Sequence, residues 1–400
     1  MLRWARNRER VRSTSMRPTT PDPRHTPPTD GALFWGPPAW LFALLVSLRV
    51  VFVAARIGQT PPLDDTLLRF VDIARAVGRP YVDYQVEYAP LDFALIRLLA
   101  MDGLGSAWVR VEVFAFACDI GTALVLFRAW GRAAATRYLL LGLPLVWLLY
   151  ARIDLFSVFL ATAGLAAVRG GRERTGGVFL GLAVLAKLWP LALLVPLAAK
   201  GSRRAVKWTA TVVVVSVGVW ILSTSLTGPS DVVTYRGASG WSVESTVGAA
   251  IWASTGGPIS LEEGSWRVGV VTAAARLALF ALLSIFLLAI ARRARNSTSD
   301  PAGAASVATV AALTALSPLF SLQYTSWLLP WGAITARREA RVLVPVLVSV
   351  FATAIIGFLL VRGAPPRAFA ILLLIRGLAT IGCVIAYLMF PMTGPRPTPS

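Results

Sequence analysis

The chain has 400 residues, 56% of them hydrophobic and 15% charged, with a net charge of +19 and a mean hydropathy of +0.66. A soluble protein of this length carries about 25% charge, whereas here apolar runs recur along nearly the whole sequence, which excludes a soluble globular enzyme. A bilayer core about 30 Å thick needs about 20 apolar residues per helix, so the composition predicts an all-α polytopic membrane protein.

The basic charge does not read as nucleic-acid binding. Arg and Lys gather at alternate breaks between the apolar runs: Arg128/Arg132/Arg137, Arg169/Arg172/Arg174, Lys200/Arg203/Arg204/Lys207, Arg292/Arg293/Arg295 and Arg337/Arg338/Arg341. That is the positive-inside pattern, in which basic loops stay in the cytoplasm. Cys118 and Cys383 fall inside apolar runs and read as packing residues. The only histidine, His25, lies in the N-terminal tail, so no His-based triad or metal cage is expected in the core.

Residues 1–38 are basic and then Pro/Thr-rich, the composition of a disordered cytoplasmic tail rather than a cleaved signal peptide. With that tail inside, Ala39 to Ile57 leads out and the stretch to about Ser106 stays outside. Trp108–Phe127 returns, Tyr138–Tyr150 leads out and Leu155–Val168 returns. Gly177–Ala186 and Leu188–Ala199 form an out-and-back pair hinged at "KLWP", Lys187 to Pro190. Trp208–Leu226 leads to a second polar outer loop, about Thr227–Arg267, and Val268–Ala291 returns. Val307–Pro318, Tyr324–Ala336, Val342–Val361 and Phe369–Phe390 complete about twelve spans. This predicts one domain over residues 39–391 in the cell membrane, a short cytoplasmic tail at 392–400 and both termini on the cytoplasmic side.

On this topology twelve of the twenty acids lie outside, and acids contribute little to topology, so they need another reason. In the first outer loop Leu67, Val71, Ala74 and Val77 recur at helical spacing, with Arg69, Asp72, Arg75 and Arg79 opposite. That predicts an amphipathic helix on the outer membrane surface, ended by Gly78. Asp64 or Asp65 falls where its N-cap belongs; only one can cap, which leaves the other for chemistry. "GRPYVDYQVEYAPLD" then interleaves Tyr81, Tyr84 and Tyr88 with Asp83 and Glu87, a composition that suits a sugar and equally suits an interfacial aromatic belt. Arg152 and Asp154 sit between two short spans, Lys187 at an outer hinge, and Arg236, Trp241 and Glu244 in the second loop. Ionisable groups at this depth are functional candidates; structural ion pairs, for example Arg152 with Asp154, would equally explain them.

The segments "GRPYVDYQVEYAPL", "RIDLFSVFLA", "GGVFLGLAVLAKLWPLALL", "RGASGWSVES" and "LSPLFSLQYTSWLLPW" resemble, in order, those of glycosyltransferase family 87. The resemblance covers about residues 40–390. Two departures stand out: Ala89 replaces the second proline usual in "EYAPL", and the histidine some members carry near the ninth span is missing. The resemblance implies a GT-C-type fold. It also implies transfer of a sugar, mannose by default, from a polyprenyl-phosphate donor to a lipid or glycan hydroxyl on the outer face. The reaction inverts the sugar carbon, with a first-loop carboxylate as base, here Asp65 or its neighbour Asp64. Lys187, Arg236 and Arg152 become candidates for the donor phosphate, and Asp83, Glu87, Tyr88, Asp154, Trp241, Glu244, Gln323 and Tyr324 for donor or acceptor. No cofactor is implied, and no ligand spacing calls for a metal.

Two other classes stay open from sequence. A lipid or solute transporter would carry repeats and midplane sites; no repeat is evident, but Glu112 and Asp119, seven apart on one span, are the kind of mid-membrane acids it would use. A non-catalytic membrane scaffold is the other.

Overall fold

A computed structural model describes residues 37–57, 59, 65–234, 239–262, 265–362 and 366–389. Asp64, Arg236, residues 1–36 of the expected N-terminal tail and the expected C-terminal tail lie outside the described residues.

In chain order the helices begin with α1 (Ala39–Ile57), α2 (Asp65–Arg75), α3 (Pro90–Ala100), α4 (Leu104–Trp130), α5 (Arg132–Gly142) and α6 (Val146–Leu149). Next come α7 (Asp154–Arg169), α8 (Glu173–Ala186), α9 (Leu194–Ala199), α10 (Arg203–Thr224) and α11 (Thr227–Thr234). Strand β1 (Trp241–Ser242), α12 (Thr246–Thr255), β2 (Ser260–Glu262) and β3 (Ser265–Val268) follow. The chain ends with α13 (Ala273–Asn296), α14 (Ala304–Ala315), α15 (Leu329–Ile334), α16 (Leu343–Arg362) and α17 (Pro366–Met389).

Among the described residues six segments are long and apolar enough to cross a bilayer: Ala39–Ile57, Arg132–Leu149, Arg203–Thr224, Ala273–Asn296, Glu339–Leu359 and Ala368–Met389. The protein is thus a multi-pass, mostly helical membrane protein. On α10 and α13 the large apolar side chains face away from the protein, among them Val219, Leu222, Leu277 and Phe280, as lipid-facing residues do. The inner helices are shorter and built of small residues. In α14 every side chain but Leu313 is buried, and eight of its twelve residues are Ala or Thr. Helices α7, α8 and α10 approach through glycines. A Cβ on Gly177 would lie 2.5 Å from the Ala205 carbonyl oxygen, and one on Gly181 would lie 2.6 Å from Val212 Cβ. Contact this close is how helices associate without a hydrophobic driving force between them.

The polar centre of the bundle is a two-rung ladder between α1 and α4. Arg49 Nε lies 2.7 Å from Asp119 Oδ2, and Arg56 Nε lies 2.7 Å from Glu112 Oε1. Both arginines and both acids are seven residues apart, two helical turns, so antiparallel helices bring both pairs into register. Asp119 also accepts from the hydroxyls of Tyr138 (2.6 Å) and Tyr150 (2.7 Å), while Arg49 Nη2 donates to the Leu139 carbonyl at 2.8 Å. Arg56 lies 4.5 Å from the Trp108 ring centroid. At the C-terminal end of α4, Trp130 Nε1 donates to Asp300 at 2.9 Å, and Arg169 pairs with the same carboxylate.

A helix forms where the first outer loop was expected to hold one, at Asp65–Arg75. Its apolar face, Leu67, Phe70, Ile73 and Ala74, is buried against α3 and α4. It stops at Arg75, and Val77, expected on the apolar stripe, is 95% exposed. Gly78 has φ +110°, and a Cβ there would meet the Asp83 side chain at 3.0 Å. The following turn is pinned through Tyr81, which holds φ 65° without being glycine. Its hydroxyl donates to the Tyr88 carbonyl (2.7 Å), and its own carbonyl accepts from Thr227 Oγ1 (2.9 Å). Such a backbone persists only where its surroundings over-determine it.

The stretch expected to form a second polar outer loop, about residues 227–267, differs from a polar connection. It folds into α12 and an antiparallel sheet of order β1-β3-β2, with Trp241 opposite Val268 and Leu261 opposite Trp266. The strands are two to four residues long, too short to leave an alternating pattern in sequence. Glu262 closes this unit by accepting from the backbone N–H groups of Ser239 (3.1 Å) and Gly240 (3.2 Å), which hold its carboxyl below the usual range.

Removing one partner of a buried ion pair leaves the other charge uncompensated, so Arg49→Met is expected to cost about 3–5 kcal/mol. Arg56→Met, at the partly exposed rung, is expected to cost less. The check is the temperature at which each detergent-solubilised variant loses its monodisperse peak, with Arg49→Met falling furthest.

Candidate functional site

The break between α8 and the 3₁₀ turn Trp189–Leu193 creates the site. Pro190 lacks the N–H that a continuing helix requires, and Lys187 takes an extended conformation, φ −152° and ψ 139°. Its ammonium lies 2.8 Å from Asp154 Oδ1, the first residue of α7. Trp327 Nε1 donates to the same oxygen at 3.1 Å, and Trp189 Nε1 donates to Ser157 Oγ at 2.9 Å. The pairing of Arg152 with Asp154, one of the sequence alternatives, is therefore not the one formed; Lys187 holds Asp154.

An aromatic wall stands over this pair. Trp189 and Trp327 stack with centroids 5.3 Å apart, and Tyr324 stacks on Trp327 at 3.9 Å. The Lys187 ammonium is 5.4 Å from the Tyr324 ring, within cation–π range. The wall forms because the segment after α14 is a 3₁₀ turn, Leu322–Leu328, whose period of three places Tyr324 and Trp327 on one edge.

These groups line a cleft of about 460 Å³. Glu87, Tyr88 and Asp92 line it together with Lys187, Trp189, Gln323, Tyr324 and Trp327. Leu191, Val195 and Leu287 add an apolar flank that reaches α9 and α13. Glu87 is fixed by both oxygens to Arg69 of α2, at 3.0 and 3.2 Å. Tyr88 packs edge-on against Phe70 at 5.6 Å.

Of the candidates read from sequence, Glu87, Tyr88, Lys187, Gln323 and Tyr324 line the cleft, and Asp154 lies directly behind Lys187. Asp65 is exposed at the start of α2 and is not among the lining residues. Asp83 is turned to the loop, where the Arg79 backbone N–H at 2.7 Å and guanidinium hold its carboxyl below the usual range. Trp241 is buried in the small sheet with Val243, Val268 and Val271.

Neither Glu244 nor Arg152 is among the lining residues. Glu244 Oε2 accepts from the Leu322 N–H at 3.1 Å, and Arg376 donates to the carbonyls of Glu244 and Phe320, each at 2.5 Å. Burial raises the Glu244 carboxyl, opposed by Arg376 and, more weakly, Arg152. This cluster anchors the segment that carries Gln323 and Tyr324.

Asp92 falls in the expected first outer loop, where the sequence alone points to no role for it. It is the third residue of α3, only 2% exposed, and Oδ1 has no hydrogen-bond partner among the described residues. Burial pushes its carboxyl well above the usual range, opposed by Lys187 and reinforced by Asp154. Trp189 and Trp327 were likewise unassigned. Among the described residues no three His, Cys, Asp or Glu side chains group as metal ligands.

Two crystal structures of ArnT from Cupriavidus metallidurans are similar to the chain. The apo state is 16% identical, with 87% of this chain and 76% of that chain covered at a TM-score of 0.46. The one bound to undecaprenyl phosphate is 15% identical, with the same coverages and TM-score. No curated protein matches the chain. The sequence model of glycosyltransferase family 87 matches residues 87–322, more than half of the chain and the stretch from Glu87 at the cleft rim to the start of the Leu322–Leu328 turn. The protein belongs to glycosyltransferase family 87.

Proposed function

We propose that the protein transfers a sugar, mannose by family resemblance, from a polyprenyl-phosphate donor to a hydroxyl of a glycolipid or polysaccharide acceptor. The reaction takes place on the extracytoplasmic face of the cell membrane. The observation that carries this reading is the composition of the cleft: an ammonium, an aromatic wall and an apolar flank in one cavity. A polyprenyl-phosphate sugar presents the complementary parts, an anionic phosphate joining an apolar tail to a stackable ring.

In this reading the acceptor oxygen attacks the anomeric carbon as the carbon–oxygen bond to phosphate breaks. The bonding pair leaves with the polyprenyl phosphate, the acceptor proton passes to a carboxylate, and the anomeric centre inverts. Lys187 stabilises the charge growing on the phosphate, with Arg152 and Arg236 assisting. Asp65 is the base, with Asp64 its alternate. Asp65 precedes Arg69 by four residues on α2 and so shares its face, and Arg69 grips Glu87 at the cleft rim. Tyr324 and Trp327 provide the surface on which a sugar stacks, and Gln323, Tyr88 and Glu87 face it from the rim. Membrane lipids surround the apolar flank, α2 lies at the outer surface, and the chain crosses the bilayer about twelve times with both termini inside. Transport has lost its main support, since Glu112 and Asp119 are each paired with an arginine of α1.

The test is sugar transfer by membranes supplied with labelled polyprenyl-phosphate mannose. Asp65→Asn is expected to slow transfer about 10²- to 10⁴-fold, the usual worth of a general base, and to do so through kcat. If Asp65→Asn and Asp64→Asn both transfer at the wild-type rate, the base is elsewhere. Lys187→Met is expected to lower kcat about 10²- to 10³-fold, with Lys187→Arg recovering part of it. The sidedness has its own check. A cysteine placed at Ser260 in intact cells is expected to react with a membrane-impermeant maleimide over little background, because Cys118 and Cys383 are both buried. Protection until the membrane is opened would place the cleft on the cytoplasmic side.

A further inference from the structure

Asp92 is an anomaly that the proposed chemistry has not used. An acid in the first turn of a helix ordinarily bonds the free N–H groups there and gains from the helix dipole. Pro90 already fills the first helical position, the N-cap Ala89 offers no side chain, and Asp92 Oδ1 bonds none of the described residues. Lys187, the nearby cation, gives its short contact to Asp154 instead. A buried carboxyl left without a partner is costly, and one that lines a cavity is a group kept for something that enters it.

We propose that Asp92 is a substrate-contacting residue, its carboxyl hydrogen-bonding a hydroxyl of the donor's sugar within the cleft. The occupant must not be an anion where it meets Asp92, because neither protonation state of a buried carboxyl supplies a counter-charge. It must also be able to donate a hydrogen bond, because Oδ1 is an unused acceptor. A sugar hydroxyl satisfies both conditions, and it can also accept when the carboxyl is protonated. The assignment to the donor's sugar rests on the reading of Lys187 as the phosphate contact. The transferred ring is bonded directly to that phosphate, and Asp92 lines the same cleft as Lys187. The stacked Tyr324–Trp327 pair lines the same cleft and covers the ring's face while Asp92 takes its edge. Asp92 thereby selects among sugars by the position of one hydroxyl.

Equilibrium binding tests this without turnover, using purified protein, labelled polyprenyl-phosphate mannose and its 2-, 3-, 4- and 6-deoxy counterparts. Wild type is expected to bind one deoxy donor about 10- to 100-fold more weakly than the parent, since the missing hydroxyl leaves the buried carboxyl unpaired. Asp92→Ala is expected to bind the parent more weakly by a similar factor and to lose the discrimination against that one analogue. Discrimination that survives in Asp92→Ala, or a wild type indifferent to every deoxy position, overturns the proposal. The ligand-free thermal midpoint gives a second reading. Asp92→Leu is expected to raise it, as removal of an unpartnered buried acid should, whereas a drop would make Asp92 structural and overturn the proposal. Binding with the expected discrimination but no transfer to any acceptor would sink the transferase reading and leave the role of Asp92 standing. If wild type binds none of these donors, the donor reading falls and the assignment of Asp92 to its sugar falls with it.

Discussion

The bond between Arg49 and Asp119 is the interaction on which the rest of the bundle is arranged. A carboxylate in hydrocarbon must find its hydrogen bonds inside the protein. Asp119 finds three, from the guanidinium of α1 and from the hydroxyls of Tyr138 and Tyr150. One side chain of α4 thus fixes α1, α5 and the turn that follows α6. That turn leads within four residues to Asp154, which holds Lys187. The geometry of the cleft at Lys187 is therefore set by a polar knot inside the bundle. The knot is fully bonded at Asp119, which is what a structural group looks like in a low-dielectric interior.

The cleft follows a different rule. Around it the helices break: α8 stops at Lys187, the segments Trp189–Leu193 and Leu322–Leu328 are 3₁₀ turns, and α3 starts at a proline. Irregular backbone at membrane depth is tolerated where it lines a cavity or is buried in protein. The breaks aim Lys187, Trp327 and Asp92 inward, where an unbroken helix would bury its polar backbone and spread its side chains around the axis. Comparison of Asp119 with Asp92 makes the contrast concrete. Both are buried carboxyls in an oily protein; one has every oxygen bonded, and the other has an oxygen with no partner among the described residues.

Much of this was legible in the sequence, because its signals are local. Runs such as Ala39–Ile57 and Arg203–Thr224 announce themselves by length, and "KLWP" announces a break through its proline. Lys187, Asp154, Gln323 and Tyr324 could be singled out as polar residues in apolar surroundings. What the sequence could not tell was who pairs with whom. Arg152 is two residues from Asp154 and Lys187 is thirty-three, yet Lys187 is the partner because the α7–α8 hairpin returns it to the start of α7. Arg49 and Arg56 carry the same seven-residue spacing as Asp119 and Glu112, a coincidence that becomes a signal only once α1 and α4 are known to lie antiparallel. Trp241 read as an outer-loop aromatic because strands of two to four residues leave no periodicity from which to predict a sheet core.

Asp92 was invisible for a deeper reason. "APLD" is how a helix commonly begins, with proline in its first turn and an acid close behind, so a sufficient local explanation hid a non-local one. The local explanation fails only when the hydrogen bonds are counted. Oδ1 bonds nothing among the described residues, and Lys187, a cation of the same cleft, is committed to another carboxylate. Selection for stability alone would replace such a residue with an apolar one of similar size, because the unpartnered acid costs and returns nothing in the empty protein. A cost carried in a cleft and avoided at Asp119 is expected where binding, rather than folding, uses the group.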